Sequence, residues 1–386
     1  MENQVALEKE NNAGVLYLAF ELSQKKWKLG FSEGKAPQIR QVGIEAGDLE
    51  GLGKEIGRAK QRLGLVESAP VRSCYEAGRE GFWVHRALEQ MGIENMVVDA
   101  SSIEVNRRQR RAKTDRMDVE KLVRQLVRYG RGERDVWSVV RVPSPEAEDR
   151  RQLHRELEVL KEERKQHRVR IQSLLFTQGI RVRVGPQFLK KLEGLHGWNE
   201  EQVTPQMKQR IQNEYDRLQL VEAQIREGRA QQAEQLRSAQ QSAALEKVRK
   251  LQQLMAIGMG SSWIFVMELF GWRQFQNRRE VAAAIGLTPT PYNSGDSARE
   301  QGISRAGNRR VRKLLIEIAW AWLRFQPHSQ LSRWYKQRFA AGGKRMRRIG
   351  IVALARRLAI ALWRWVESGV VPEGARLRVS AASSMS

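Results

Sequence analysis

Sulfur is nearly absent from the reactive groups of this 386-residue chain: Cys74 is its only cysteine. That excludes an internal disulfide and any cysteine-rich zinc site, and it fits a reducing compartment. Long apolar runs are missing too. The most apolar late stretch, Ile349 to Val366, is interrupted by Arg356, Arg357 and Arg364, so no membrane span is expected. Met1 to Asn12 is acidic and polar, where a secretory leader is basic and then apolar; no signal peptide is expected, and a cytoplasmic location is. Acid is short relative to base, 44 Asp and Glu against 68 Lys and Arg, for a formal charge of +24. With a pI of about 10.6, that excess predicts a polyanionic partner, nucleic acid ahead of an anionic membrane. What the chain does have is 41% hydrophobic residues, enough for two or three domains with real cores.

Apolar runs at Val15 to Phe20 and Trp27 to Phe31, split by Glu21-Leu22-Ser23-Gln24-Lys25-Lys26, predict a hairpin. Ile39 to Ile44 supplies a third strand, Leu49 to Leu63 a helix, and Val71 to Tyr75 a strand that ends on Glu76. Gly81 to Met91 reads as helix and Met96 to Val98 as a short buried strand. Thr114 then reads as the N-cap of an amphipathic helix that opens with Asp115 and Asp118 and continues through Val119, Leu122, Val123, Leu126 and Val127. Strands alternating with helices after an opening meander imply an α/β layer with a mixed sheet. Asp115 and Asp118 are three apart on one face of the first turn, where the helix dipole favours negative charge and two carboxylates suit a hard cation such as Mg²⁺. An acidic first turn is also ordinary capping. Glu21 and Glu76 add weight to the metal reading, because both end strands, where catalytic groups collect in such sheets.

From Glu146 to Thr177, Leu153, Leu157, Leu160, Ile171 and Leu174 keep a 4-3 spacing, with Arg164 and His167 between them, and predict a long helix with coiled-coil character. Residues 179–205 interrupt it with glycine, proline and a small basic strand at Ile180 to Val184. A second helix carries Met207, Ile211, Tyr215, Leu218, Val221 and Ile225 on one face and runs on towards Leu251. Two such helices form either an intramolecular hairpin or an oligomerisation arm. His154, His167 and His196 read as solvent or seam residues rather than ligands.

Leu254-Met255-Ala256-Ile257-Gly258-Met259-Gly260 joins one helix to the next, and Gly258 and Gly260 allow that turn to offer backbone amides to a phosphate, in the manner of a helix-hairpin-helix. Further on, a helix ends at Gly286, a loop through Tyr292-Asn293-Ser294-Gly295 displays a serine, and a basic helix follows at Gly307-Asn308-Arg309-Arg310-Val311-Arg312-Lys313. A serine among arginines is placed to attack a phosphodiester whose charge they offset. Lys113, Arg116, Arg305, Asn308, Arg309, Arg310 and Arg312 join Gly258 and Gly260 as candidate nucleic-acid contacts. Beyond Leu323 the chain is helical and basic with interleaved Trp and Arg, and Ser380 to Ser386 reads as a frayed tail.

Across nearly the whole chain, the four-acid domain, helical spacer, Gly-Met-Gly turn, Gly-Leu-Thr-Pro segment and Ser-Gly loop before Gly-Asn-Arg-Arg resemble the DEDD-type transposases of bacterial insertion sequences, recombinases guided by a bridge RNA. The resemblance implies a ribonuclease-H-like, resolvase-type N-terminal domain with Mg²⁺ held by Glu21, Glu76, Asp115 and Asp118. It also implies Ser294 as the nucleophile that links covalently to DNA, a structured guide RNA, and a homo-oligomer sharing sites between subunits. The first acid of that family is usually Asp, and Glu21 departs from it by one methylene. The expected class is α/β plus all-α: 1–132 as the metal domain, 145–250 as a coiled-coil spacer with an insert at 179–205, 251–370 as the C-terminal transposase domain, and 371–386 as a tail. A Mg-dependent junction nuclease using water, with no serine chemistry, is the competing expectation; a non-catalytic nucleic-acid binder needs the charge alone.

Overall fold

Five strands in the order β3-β2-β1-β4-β5 organise the first of two compact units, residues 1–142 and 143–386. The computed structural model describes residues 14–35, 39–103, 115–238, 242–294 and 297–378, without the side chains at 101, 115–117 and 291–301. In the first unit β1 (Leu16–Glu21), β2 (Lys26–Ser32) and β3 (Arg40–Glu45) form the expected antiparallel meander. Helix α1 (Leu49–Arg62) leads to β4 (Val71–Glu76), which lies parallel to β1, and α2 (Trp83–Gln90) leads to β5 (Glu94–Val98), parallel to β4. The last helix is α3 (Asp115–Gly130).

The central strand β1 is a continuous apolar run because both of its faces are covered. Leu16, Leu18 and Phe20 pack with Trp27, Leu29, Leu52, Ile56 and Leu88 on one side. Tyr17 and Ala19 pack with Cys74, Val98 and the Val119, Leu122, Val123 and Leu126 face of α3 on the other. Gly30 permits that approach, since a Cβ there would stand 2.4 Å from the Val119 side chain. The unit extends past the expected limit at 132: Val139 bridges to Val98, Val140 N donates to the Val97 carbonyl at 2.7 Å, and Val140 and Val142 pack on the core. Burial raises the Cys74 thiol pKa, which keeps it protonated and inert.

In the second unit a short α4 (Pro145–Asp149), capped by Ser144, precedes the long α5 (Gln152–Phe176), so the predicted helix breaks once, near Arg150. Helix α6 (Phe188–Leu192) lies in the insert, and α7 (Pro205–Arg237) returns antiparallel to α5. Leu157 meets Gly228, Leu160 packs with Val221 and Ile225, and Ile171 and Leu175 pack with Ile211, Tyr215 and Leu218. Of the two arrangements the sequence allowed, the chain therefore forms the intramolecular hairpin. His167 lies in the seam, its Nδ1 2.7 Å from Glu214 of α7, whereas His154 is buried against Glu268. The expected strand at 180–184 does not form; Ile180 and Val184 are instead buried as plugs under the end of the helical pair.

The predicted helix towards Leu251 also breaks, at Ser238, and restarts as α8 (Ala243–Gln252). Helix α9 (Met259–Phe265) passes into a π-helical turn, Val266–Phe270, and is followed by α10 (Arg278–Ala284), capped by Asn277. The predicted serine loop is a two-stranded hairpin, β6 (Pro289–Ser294) and β7 (Ser297–Ile303). Helices α11 (Arg309–Phe325), α12 (Gln330–Tyr335) and α13 (Lys344–Ser368) complete a core around Trp263, Phe265, Trp322 and Leu358. Part of the expected tail is bound: Arg378 N donates to the Gln253 carbonyl at 2.7 Å, and Gln326 holds the Arg376 backbone through both amide atoms.

Candidate functional site

Parallel pairing of β1 with β4 puts two predicted acids side by side. The last paired residues are Phe20 and Tyr75, so Glu21 and Glu76 follow on adjacent strands at their carboxyl ends. Side chains alternate along a strand, and Tyr17, Ala19 and Cys74 face α3, so Glu21 and Glu76 share that face. Helix α3 runs antiparallel to β1: its last residue, Gly130, abuts Tyr17, and the Leu122 carbonyl accepts from Cys74 Sγ at 4.0 Å. Asp118 lies four residues before Leu122, about 6 Å further along the helix and on the same face. Glu21 and Glu76 lie two residues beyond Ala19 and Cys74, about 7 Å along their strands. Asp118 is thereby brought level with them.

Asp118 and Glu21 are half-buried and Glu76 is exposed. Asp115 opens α3 one turn earlier, and its carboxylate, like the Arg116 side chain, is not among the described side chains; Lys113 and Thr114 fall outside the described residues. Among the described residues no three of His, Cys, Asp and Glu come together as a group that could hold a metal ion, so Glu21, Glu76 and Asp118 share an end of the sheet without closing on one point. An open edge of hard oxygens suits Mg²⁺, which takes one or two carboxylates and completes its shell with water and substrate oxygens.

Ser294 ends β6 opposite Ser297. The base of its hairpin is tied to the helices on either side. Ser304 N donates to the Thr288 carbonyl at 2.9 Å, Arg305 N to the Gly286 carbonyl at 3.1 Å, and Asn308 N to the Ala284 carbonyl at 2.8 Å. These ties require Gly286 and Gly307, both at positive φ (66° and 102°); a Cβ would stand 2.0 Å from the Ala306 carbonyl oxygen at the first and 2.4 Å from that of Ala284 at the second.

Several predicted nucleic-acid contacts also take part in this scaffold. Asn308 Oδ1 caps α11 by accepting from Val311 N at 3.1 Å, and its Nδ2 donates to Glu268 at 3.0 Å. Arg310 pairs with Glu158 of α5 at 2.7 Å, and Arg312 donates to the Ile285 carbonyl at 3.0 Å. Arg305 and Arg309 stay exposed. Gly258 caps α9 with its carbonyl, and a Cβ on Gly258 or Gly260 would meet nothing within 4 Å; the left-handed residue in that turn is Ala256, at φ 82°.

Glu268 is the centre of the scaffold and was not singled out from the sequence. It sits in the π-helical turn with its side chain 1% exposed. Its carboxylate accepts from His154 Nε2 at 2.9 Å, from Arg155 Nε at 2.7 Å and Nη2 at 3.1 Å, and from Asn308. Burial alone raises a carboxyl pKa. Here the hydrogen bonds from His154 and Arg155, the Arg155 charge and the Asn308 amide outweigh it and hold Glu268 well below the usual carboxylate range. One carboxylate thus joins α5 to the N-cap of α11, just after the serine hairpin. The signal available in the sequence was a lone acid inside the apolar run Val266-Met267-Glu268-Leu269-Phe270.

Beside the hairpin base, a cavity of about 1460 Å³ opens between Pro289, Gly302 and Ile303 and the helices α12 and α13. Arg278, Arg279, Arg305, Arg338, Arg345, Arg356, Arg357 and Arg364 line it, against one acid, Glu373.

Residues 248–334 match the family described as Transposase IS116/IS110/IS902. Over 379 residues, 95% of each chain, the protein is 40% identical to the putative transposase y4rJ of Sinorhizobium fredii. The chain belongs to the IS116/IS110/IS902 family of transposases. A second Sinorhizobium fredii protein, putative transposase y4qE, is 27% identical over 281 residues, 73% of this chain and 65% of that one. The transposase for insertion sequence element IS1111A of Coxiella burnetii is 32% identical over 122 residues, 31% of this chain and 33% of that one. The family-matched segment of this transposase runs from α8 into α12 and so takes in the Gly258 turn, Glu268, the Ser294 hairpin and the Asn308 cap. The α3 carboxylate edge lies outside that segment, inside the stretch shared with y4rJ. No helix among the described residues is long and apolar enough to cross a membrane.

Proposed function

We propose that this protein is the transposase of an insertion sequence that cuts and rejoins DNA with two chemical groups: Mg²⁺ held by Glu21, Glu76, Asp115 and Asp118, and the hydroxyl of Ser294. The observation that carries the reading is the side-by-side placing of Glu21 and Glu76 at the carboxyl ends of β1 and β4, on the face covered by the helix that carries Asp115 and Asp118. The strand order and the packing of α3 over the β1–β4 face support a ribonuclease-H-like domain, and the Gly258 turn between α8 and α9 supports a helix-hairpin-helix.

Mg²⁺ held by these carboxylates would offset the negative charge that builds on the phosphate oxygens. Ser294 Oγ attacks the phosphorus of a backbone phosphodiester. The Oγ–P bond forms as the bond to the deoxyribose oxygen breaks; the serine proton leaves to solvent, and the departing oxygen takes one up as a hydroxyl. Attack by the hydroxyl of another strand reverses the step and frees the serine. One phosphoester is exchanged for another, so rejoining needs no external energy source. Arg305 and Arg309, exposed near the hairpin base, would offset the phosphate charge.

In a denaturing gel, wild-type protein with cognate DNA and Mg²⁺ is expected to give a protein–DNA adduct that protease removes. Ser294→Ala is expected to give neither adduct nor strand exchange. Cleavage by Ser294→Ala at the wild-type rate, with no adduct from either protein, would replace this reading with that of a nuclease using water.

The charge of +24 supports a second nucleic acid, a structured guide RNA, because phosphate contacts position a polyanion without specifying sequence. Sequence-specific exchange is expected to disappear after complete RNase digestion and to return when the RNA is restored. Exchange at the same sites in RNA-free protein would remove the guide from the mechanism. The two catalytic groups sit in separate units of the chain, which suits a homo-oligomer that shares sites between subunits.

A further inference from the structure

The arginine-lined groove has a pattern that a duplex does not match. Along one face of α13, Arg345, Ile349, Val352, Arg356, Ile360 and Arg364 follow at spacings of three and four residues, covering about 28 Å of helix. Ile349 is 46% exposed, Val352 and Ile360 pack on the core but stay half-exposed along the groove, and Val370, just beyond the end of α13, is 56% exposed. None of Arg345, Arg356 and Arg364 pairs with a carboxylate among the described residues, and the lining acid, Glu373, faces Arg333 at 3.8 Å. Arg357 lies over the Trp334 ring at 4.0 Å and closes one side of the groove. Arginines that repel one another and lack counter-charges call for a polyanion. Exposed aliphatic side chains between them call for a ligand with apolar faces between its charges. A duplex hides its base faces in the stack and offers only sugar and phosphate along its edge, whereas an unpaired strand offers both.

We propose that this groove holds one unpaired DNA strand beside the Ser294 hairpin, with phosphates on the arginines and base or sugar faces on the Ile349–Val352–Ile360 ridge. Among the described lining residues the polar side chains besides the arginines and Trp334 are Gln330 and Glu373, and with the arginines on phosphates the expected binding is sequence-neutral and does not need RNA. The proposal rests on the transposase reading, in which a strand released by cutting must be held away from its complement until it is rejoined.

The test is fluorescence anisotropy with the full chain and three labelled oligonucleotides of one sequence: single-stranded DNA, single-stranded RNA and duplex DNA. Arg356→Ala/Arg364→Ala is expected to weaken single-stranded DNA binding at least thirtyfold, and duplex binding less than threefold. The slope of log affinity against log salt should fall by roughly 1.4, about 0.7 per lost phosphate contact. Arg356→Lys/Arg364→Lys, which keeps the charge, should recover most of the loss and guards against misfolding as the cause. Equal losses for single strand and duplex would make the groove a general phosphate surface and overturn the proposal. So would a tenfold preference for RNA, unchanged single-strand binding, or a loss that tracks dissociation of a homo-oligomer in light scattering. None of these readouts uses cleavage. Groove variants that lose strand binding while Ser294 is found inert would sink the transposase chemistry alone, and an intact adduct with unaffected strand binding would sink the groove alone.

Discussion

Asp118→Asn and Glu76→Gln are each expected to lower DNA cleavage on the order of 10²- to 10³-fold, the scale on which one electrostatic partner of a transition state acts. Stability should hardly change. Glu76 is exposed and Asp118 half-buried, and surface substitutions stay within about 0.5 kcal/mol. Close carboxylates also repel one another, so removing one charge relieves the edge in the metal-free state. A readout independent of cleavage follows from linkage: Mg²⁺ should raise the unfolding temperature of the wild-type protein and not that of either variant. Near-normal cleavage by either variant, or the same Mg²⁺-dependent shift in all three proteins, would take the metal away from this edge. In a shared site, mixing Asp118→Asn with Ser294→Ala restores part of the activity that each lacks, provided subunits exchange.

Replacing Glu268 is expected to give the largest stability effect in the chain. Glu268→Ala strands His154 and Arg155 opposite an uncharged cavity, and breaking one side of a buried ion pair costs about 3–5 kcal/mol. Arg155 is 35% exposed, so the lower end applies, a fall of roughly 6–12 °C for a unit of this size. Glu268→Gln keeps the acceptor geometry and should recover part of the loss. The direction of the pH effect follows from the depressed carboxyl pKa. Stability from this group is fully present above the ordinary glutamate value of 4.5 and is lost as pH falls through the lowered folded value. The gap between wild type and Glu268→Ala should therefore stay constant from pH 7 to pH 5 and narrow only below 4.5. Denaturant melts across that range check it; a gap that widens on acidification contradicts the assignment. Because Asn308 shares this carboxylate and caps α11, the variant should also loosen the base of the serine hairpin, seen as faster amide exchange at Ser304 and Arg305.

Local periodicity made much of the molecule readable in advance. The run Leu16–Glu21 has to be a strand covered on both faces, and the Leu157, Leu160, Ile171 and Ile211, Leu218, Ile225 stripes have to meet other apolar surface. The acids at strand ends and at the start of α3 could be named because capping and alternation are properties of a few neighbouring residues. Only the tertiary structure decided the rest. Whether α5 and α7 pair within the chain depends on the insert turning them back, a long-range matter. The serine segment hid its strands because Pro289 and Pro291 suppress the local signal, and pairing with β7 across an irregular register is what makes it a hairpin. The basic run at 308–312 looked uniformly available for phosphate. Yet Asn308, Arg310 and Arg312 are turned onto Glu268, Glu158 and a carbonyl, and which face of a helix meets a neighbour is not written in its own residues. Glu268 itself binds partners 40, 113 and 114 residues away. Its sequence neighbours show only an acid in an apolar turn, and the fold brings the three donors that make it stable there.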